Sequence, residues 1–209
     1  LSFRRHATSK IEKAEDLFNL HTKGFRGEAL ASIAAIAQVE MLTRAAGAEL
    51  ATRIRIAGDE LQLQEEAVGP EGTSVSVRNL FFNIPARRNF LKSAKVEFRH
   101  VLEEFNRVAL AHPGIAFSLH HNDSELQQLP EAGLRQRIAH LMGRKMTHRL
   151  VPVEEDTQLV SIRGFICKPE YARKSRGEQY FFVNDRFIKS SYLHHAVTGA
   201  FEGLLKTDT

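Results

Sequence analysis

The chain has 209 residues, of which 43% are hydrophobic and 26% are charged. This length suffices for one large domain or two small ones, and the composition is ordinary for a globular protein. No apolar run approaches the ~18 residues that span a bilayer, and no signal-peptide pattern opens the sequence, so no membrane partner is expected. A single cysteine, Cys167, excludes an intrachain disulfide and favours a reducing, intracellular setting. Because the sequence opens without a methionine, we expect an internal piece of a longer protein.

The net charge of +4 is unevenly distributed. Residues 131–209 contain 13 Lys/Arg and 9 Asp/Glu, which leaves 16 of each for residues 1–130. The excess positive charge in the C-terminal part suits a nucleic-acid contact, since Lys and Arg displace the counterions that condense on phosphates. A solvated basic face explains the same charge equally well.

Hydrophobic periodicity predicts a mixed order of elements in the first 130 residues. Residues 1–7 resemble the end of a helix, residues 10–23 are polar and irregular, and a buried helix is predicted over Glu28–Ala37. Four strands in an antiparallel meander follow, at Val39–Thr43, Ala51–Ile56, Leu61–Glu65 and Thr73–Val77. A long helix over Ala94–Ala111 and a hairpin turning at Asn122-Asp123 complete this part.

The segment from Pro130 to Gly133 is the predicted domain boundary, because the order of elements changes there. Beyond it, a helix is predicted at Leu134–Met142, strands at Leu150–Glu154, Leu159–Cys167 and Gln179–Val183, and a final helix at Tyr192–Leu205. The predicted class is therefore α+β in two layers, twice, with domains at 1–130 and 131–209.

The clearest motif is Gly24-Phe25-Arg26-Gly27-Glu28-Ala29-Leu30. Two glycines just before a helix let the backbone approach a ligand closely and direct free amides toward it, and Arg26 adds a charge. Phosphate is the natural ligand. A plain glycine turn, with Glu28 capping the helix, is the structural alternative.

Two further motifs leave alternatives open. Gly72-Thr73, at the entry of a strand, suits either a phosphate contact or a turn. In Phe81-Phe82-Asn83-Ile84-Pro85-Ala86-Arg87-Arg88, the aromatic residues are predicted to be core, and the arginine pair is either surface charge or a phosphate contact.

Three stretches in order resemble motifs of the MutL/MLH/PMS mismatch repair family, which belongs to the GHKL ATPases. They are RHATSKI from Arg5, GFRGEALASI from Gly24 and GTSVSVRNLFFNIPARRNFL from Gly72, with a weaker continuation over Tyr180–Val197. The resemblance implies a two-layer GHKL (Bergerat-type) α/β sandwich, followed by a ribosomal-protein-like βαβ domain truncated at its C-terminus.

The resemblance also implies roles for individual residues. Thr8, Ser9 and Lys10 match the start of the family's ATP lid, and Gly24–Leu30 match its end, whose amides wrap the triphosphate. Thr73 matches a threonine near the nucleotide. ATP and Mg²⁺ are the implied cofactors of the intact protein. The implied partners are DNA, a MutS-type mismatch recognition protein, and a second copy or paralogue. The implied location is the bacterial cytoplasm, at the nucleoid.

Some family motifs have no counterpart in this sequence. The motif with the water-activating glutamate and magnesium-binding asparagine, the DNGxG motif and the NVHPxK segment are absent. Hydrolysis needs a general base and a metal ligand. We therefore assign no catalytic residue, and expect this chain alone neither to hydrolyse ATP nor to hold it firmly. We also expect residues 10–23 to be disordered without nucleotide.

The candidate DNA contacts are Arg186 and Lys189, although the place matching the family's DNA-contacting arginine holds Ser191. No metal site is predicted, since the paired histidines at 120–121 and 194–195 diverge. Two other functions remain open: a DNA- or partner-binding module with a non-functional ATPase, and a gyrase-B-like subunit, which the motif strings disfavour.

Overall fold

The computed structural model describes residues 2–11, 13, 15–16, 22–173 and 177–205. The chain divides into two compact units, Leu1–Glu97 and Phe98–Thr209. The predicted domain boundary near residue 130 falls inside the second unit and stays a prediction. None of the helices in the described ranges has the length and apolarity that a bilayer crossing requires.

The first unit is built on a four-stranded antiparallel sheet in the order β3-β2-β1-β4. Its strands are β1 Gln38–Arg44, β2 Ala51–Ala57, β3 Glu60–Ala67 and β4 Gly72–Arg78. The turn between β2 and β3 places Gly58 and Asp59 at positive φ, as the two-residue hairpin prediction requires. The predicted meander is therefore confirmed, with β4 returning to pair with β1.

One face of this sheet is apolar. Val39 in β1 pairs with Ile56 in β2 and Val77 in β4, so the three side chains share a face. The helix α1 (Ala29–Ala34) covers part of it, because Ala34 and Ala37 form a buried cluster with Val39 and Ile56. Val75 and Val77 extend the apolar face onto β4 but remain exposed.

The opposite face of the sheet is polar and carries ion pairs. Arg55 donates from Nε to Glu40 Oε2 at 2.6 Å, and Arg53 pairs with Glu65 at 3.1 Å. The hydrogen bond from Arg55 lowers the pKa of Glu40 below its usual range. Two ion pairs therefore cross this face, while Arg53 Nε is buried without a hydrogen-bond partner among the described residues.

The loop after β4 is held to the end of α1. The amide of Phe81 donates to Ile36 O at 2.7 Å, and Asn83 Nδ2 donates to Ala35 O at 2.9 Å. A short helix, α2 (Pro85–Arg88), follows. Contrary to the prediction, Phe82 is exposed.

Over its described residues, the second unit combines helices with three two-stranded antiparallel sheets. The helices are α3 Ala94–Ala111, which begins before the division between the units, α4 Leu134–Met142 and α5 Ser191–Ala200. The strands are β5 Phe117–His121, β6 Ser124–Leu129, β7 Leu150–Asp156, β8 Ser161–Cys167, β9 Phe181–Val183 and β10 Arg186–Ile188. Cys167 is half-buried in β8, and burial raises the pKa of its thiol.

A buried arginine ties this unit together. Arg137 lies on α4 with no exposed surface, and its Nη2 donates to the carbonyls of Pro113, Ile115 and Pro130 at 2.8, 2.5 and 3.0 Å. Burial lowers its pKa. The guanidinium thus bonds to the chain just before β5 and just after β6, and the Pro113 carbonyl also accepts the Ala132 amide at 3.0 Å.

The structure corrects three predicted helices. The helix predicted over Glu28–Ala37 spans only Ala29–Ala34, so it ends three residues early. Residues 2–6 form turns, and no helix is assigned there. The final helix ends at Ala200, five residues before its predicted end at Leu205. Half of residues 10–23, over which disorder is predicted, lie outside the described residues, so that prediction stays a prediction.

Candidate functional site

The start and the end of the predicted ATP lid meet in the first unit. Gly27 has a φ of +64°, and a Cβ built on it would lie 2.3 Å from the carbonyl oxygen of Ala7. His6 Nδ1 lies 3.1 Å from the Glu28 carboxylate in the same place. Because Thr8, Ser9 and Lys10 follow directly, the structure brings both lid segments together at Ala7 and Gly27.

The backbone just before α1 presents free amides. Within the described residues, the amides of Arg26, Gly27 and Glu28 have no hydrogen-bond acceptor. Glu28 occupies the N-cap position, but its side chain makes no capping hydrogen bond. Successive free amides beside a left-handed glycine form the kind of concave surface that binds anions.

Other described residues of the predicted lid make local contacts. Arg26 places its guanidinium 5.5 Å from the centre of the Phe25 ring, and Thr22 donates to Gly24 O at 3.0 Å. The Lys10 amide donates to Thr8 Oγ1 at 3.1 Å. Nothing lies within 4 Å of a Cβ built on Gly24, so this position is open to a ligand.

Thr73 lies at a different part of the sheet. Its hydroxyl is 2.8 Å from that of Thr43, its partner in β1. Alternation puts Thr43 on the same face as Val39, which α1 covers, so Thr73 and the lid share one face. Thr43 is five residues from Gln38, roughly 17 Å along the strand, and no contact joins Thr73 to the described lid residues.

The described residues of this region do not provide a cluster of metal-ligating side chains. Among the residues that the structure describes, no three His, Cys, Asp or Glu side chains converge as a metal site would require. The anionic part of a nucleotide fits the free amides better than any cation does.

In the second unit, the predicted DNA contacts lie on and beside the β9–β10 hairpin. Asn184 and Asp185 form its two-residue turn with φ of 46° and 62°. Arg186 opens β10 and is half-buried, whereas Lys189 is exposed immediately before α5. Ser190 caps α5 by accepting the Leu193 amide at 3.2 Å, and Ser191 begins the helix.

Aromatic side chains pack against one face of this hairpin. Phe187 contacts the rings of Phe182 and Tyr180 at centroid distances of 5.9 and 6.1 Å, and the Arg107 guanidinium stacks on it at 4.3 Å. Burial raises the pKa of Tyr180, whose hydroxyl is hydrogen-bonded to Asn106. Since side chains alternate along β10, Arg186 faces away from this packed side.

Three structural features of the two units were not predicted from the sequence. The β10 strand, the His6–Glu28 contact and the buried Arg137 were not predicted. Arg137 had a detectable signal: it follows Leu134 at helical spacing and precedes Ile138, so a charged residue stands on the apolar side of α4.

Comparisons with known proteins agree with this architecture. The family model described as "DNA mismatch repair protein, C-terminal domain" matches residues 138–209. DNA mismatch repair protein MutL of Flavobacterium johnsoniae is 68% identical over 206 residues, covering 99% of this chain and 32% of that protein. MutL of Christiangramia forsetii is 64% identical, with coverages of 99% and 33%. The chain thus spans about a third of the length of these relatives.

Solved structures show the same fold. The Aquifex aeolicus MutL ATPase domain complexed with ADP matches with a TM-score of 0.69 and 25% identity, over 90% of this chain and 71% of that one. The N-terminal domain of a DNA repair protein matches with a TM-score of 0.74 and 22% identity, over 97% and 65%. The latter match concerns the fold alone.

The predicted α+β class is confirmed, and the fold is that of a GHKL-type ATPase domain of DNA mismatch repair proteins. Within that class, the chain belongs to the MutL family.

Proposed function

We propose that this chain forms part of an ATP-binding, ATP-driven dimerising clamp, which couples mismatch recognition to downstream repair. The first unit contributes the lid over the triphosphate, through Thr8–Lys10 and Gly24–Leu30, and Thr73 lies farther along the same face of the sheet. ATP supplies the anionic phosphates, and Mg²⁺ would be held by residues outside this chain. The ADP complex of the Aquifex aeolicus relative supports a nucleotide as the ligand.

The observation that carries the proposal is the meeting of the two lid segments. The backbone contact between Ala7 and Gly27 brings Thr8–Lys10 to the free amides of Arg26, Gly27 and Glu28. A lid whose two ends are joined at one point closes over a ligand as one piece, and the exposed Lys10 and Arg26 supply positive charge.

The second unit contributes DNA contact through Arg186 and Lys189. Partners proposed for the intact protein are DNA, a MutS-type mismatch recognition protein, and a second copy or a paralogue. The proposed location is the cytoplasm, at the nucleoid, as expected for a bacterial repair protein.

The nucleotide part is tested by titrating the intact protein with ATP in the presence of Mg²⁺. Arg26→Ala should weaken binding about tenfold, the loss expected for one charge-assisted hydrogen bond to phosphate. Arg78→Ala is the matched control: Arg78 pairs with Gln38 on the polar face of the sheet, opposite α1. Equal affinities of both variants and the unmodified protein would contradict the assignment of the lid.

The DNA part is tested by measuring DNA affinity across a salt series. Arg186→Glu combined with Lys189→Glu should weaken binding and flatten its salt dependence. Unchanged affinity and slope would remove this hairpin from the DNA-binding surface.

One observation favours a second function, a DNA- or partner-binding module with a non-functional ATPase. The left-handed conformation of Gly27 is already required by its contact with Ala7, so no ligand is needed to explain that glycine. Intact protein that binds DNA but shows no saturable binding of ATP would establish this alternative.

A further inference from the structure

The residues that follow Ile84 in the first unit belong neither to the proposed nucleotide lid nor to the proposed DNA-contacting hairpin β9–β10. Every residue from Pro85 to Lys95 is exposed, and this stretch is named here the basic-aromatic segment. It contains four cations, Arg87, Arg88, Lys92 and Lys95, and no acidic residue.

The cations of the basic-aromatic segment are available to a partner. Within the part of the chain that the structure describes, none of the four side chains forms an ion pair or hydrogen bond. The acid nearest in sequence is Glu97, whose carboxylate accepts the Lys92 amide at 2.8 Å. Unpaired positive charge concentrated on one exposed stretch is complementary to a polyanion.

An aromatic ring stands among these charges. Phe90 is 81% exposed, and its neighbour Leu91 is also exposed. A ring this exposed contributes little to the core, so its removal should leave the fold intact. Its position is nevertheless defined, because the amides of Phe90 and Leu91 donate to Arg87 O and Arg88 O at 3.1 and 3.2 Å.

The support beneath the segment is also defined. Asn83 Nδ2 donates to Ala35 O, and the Arg87 amide donates to Ile84 O at 3.0 Å. The charges and the ring therefore extend from a turn that is bonded to the end of α1.

We propose that the basic-aromatic segment binds single-stranded DNA, with Phe90 stacking on an unpaired base and the four cations contacting the backbone. Cations interleaved with an aromatic ring are the usual composition of single-strand binding surfaces. Duplex bases are already stacked on one another, so the ring gains its full contact only with an unpaired base. This inference rests on the proposed DNA-binding function and assigns it a second surface.

The test uses the intact protein and a fluorescent oligothymidylate, with a duplex of equal length beside it. Phe90→Ala should weaken single-strand binding about five- to a hundredfold, the range seen for loss of one base–aromatic stack, and weaken duplex binding less. Phe90→Trp should restore it. Leu61→Ala is the control, since Leu61 is likewise an exposed apolar residue, on the acidic strand β3.

The charges are tested separately. Lys92→Gln combined with Lys95→Gln should lower the slope of log affinity against log salt by about 1.4, since each single-strand contact contributes about 0.7. Thermal unfolding of each variant should match the unmodified protein, because all of these side chains are exposed.

Three results would overturn the inference. The first is unchanged single-strand affinity of Phe90→Ala while Arg186→Glu with Lys189→Glu weakens binding, which leaves the proposed DNA-binding function standing. The second is loss of binding to phosphatidylglycerol vesicles by Phe90→Ala with DNA binding intact, which would assign the segment to anionic lipid. The third is no DNA binding by the unmodified protein, which overturns the proposed DNA-binding function as well.

Discussion

Replacing Gly27 with alanine tests the lid at the point where its two segments meet. The added Cβ would lie 2.3, 2.5 and 2.9 Å from the O, C and N atoms of Ala7, all below the 3.0 Å that real Cβ contacts respect. The atoms in its way are backbone, so no side-chain rotation relieves the overlap. The two segments must separate by at least the 0.7 Å between 2.3 and 3.0 Å.

The magnitude follows from two contributions. A non-glycine residue at a φ of +64° costs about 1–2 kcal/mol, and the forced separation adds to it. We expect Gly27→Ala to lower the free energy of unfolding by about 2–3 kcal/mol. Because the free amides move with Gly27, ATP affinity of the intact protein should also fall at least about tenfold.

Urea unfolding and ATP titration measure these two quantities. Gly24→Ala is the matched control, since its Cβ would meet nothing within 4 Å and its φ is not in the left-handed region; its stability should change by less than about 0.5 kcal/mol. If Gly27→Ala matched the unmodified protein in both measurements, the contact with Ala7 would not organise the lid.

Two further predictions concern stability. Arg137→Met should lower the free energy of unfolding by about 1–3 kcal/mol in urea titration, because the carbonyls of Pro113, Ile115 and Pro130 lose a donor; a change below about 0.5 kcal/mol would mean that other donors replace the guanidinium. Glu40 has a lowered pKa, so its ionised form stabilises the fold above the ordinary glutamate pKa, and this contribution is lost as the pH falls through the lowered value. Glu40→Gln should therefore flatten the acid limb of a stability–pH curve below about pH 4.3. An unaltered acid limb would show that the Arg55 hydrogen bond does not stabilise the fold, and Glu60→Gln, on exposed β3, serves as control.

The regular elements were largely predictable from the sequence because local chemistry determines them. The helices Ala94–Ala111 and Leu134–Met142 were predicted close to their observed bounds, since breakers and turn residues bound both of them. The Gly58-Asp59 and Asn122-Asp123 turns fixed two hairpins, whereas the same kind of turn at Asn184-Asp185 was not recognised. Residues 2–7 carry helix-forming side chains, but residues 2–6 form turns and Ala7 contacts Gly27, a residue distant in sequence.

The candidate site was predictable only in part, because its geometry depends on contacts distant in sequence. Gly27 stands out in the sequence because glycine lets the backbone approach a ligand closely. Its partner Ala7 belongs to no pattern that would predict this contact. For Thr73, the family resemblance indicated a place near the nucleotide, whereas pairing in the sheet determined its bonded partner, Thr43. Exposure of Phe90 could not be predicted, since an aromatic residue in such a motif is ordinarily buried.

The shortness of α1 has a mechanical consequence. Its six residues span about 9 Å, with the lid amides just before it and the bonds to Phe81 and Asn83 just after it. A stiff rod of this length transmits a displacement at one end to the other with little bending. If phosphate draws the lid inward, the basic-aromatic segment is pulled with it, and thermodynamic linkage makes the effect reciprocal. A DNA strand held on that segment would then raise nucleotide affinity by the same factor that nucleotide raises affinity for the strand.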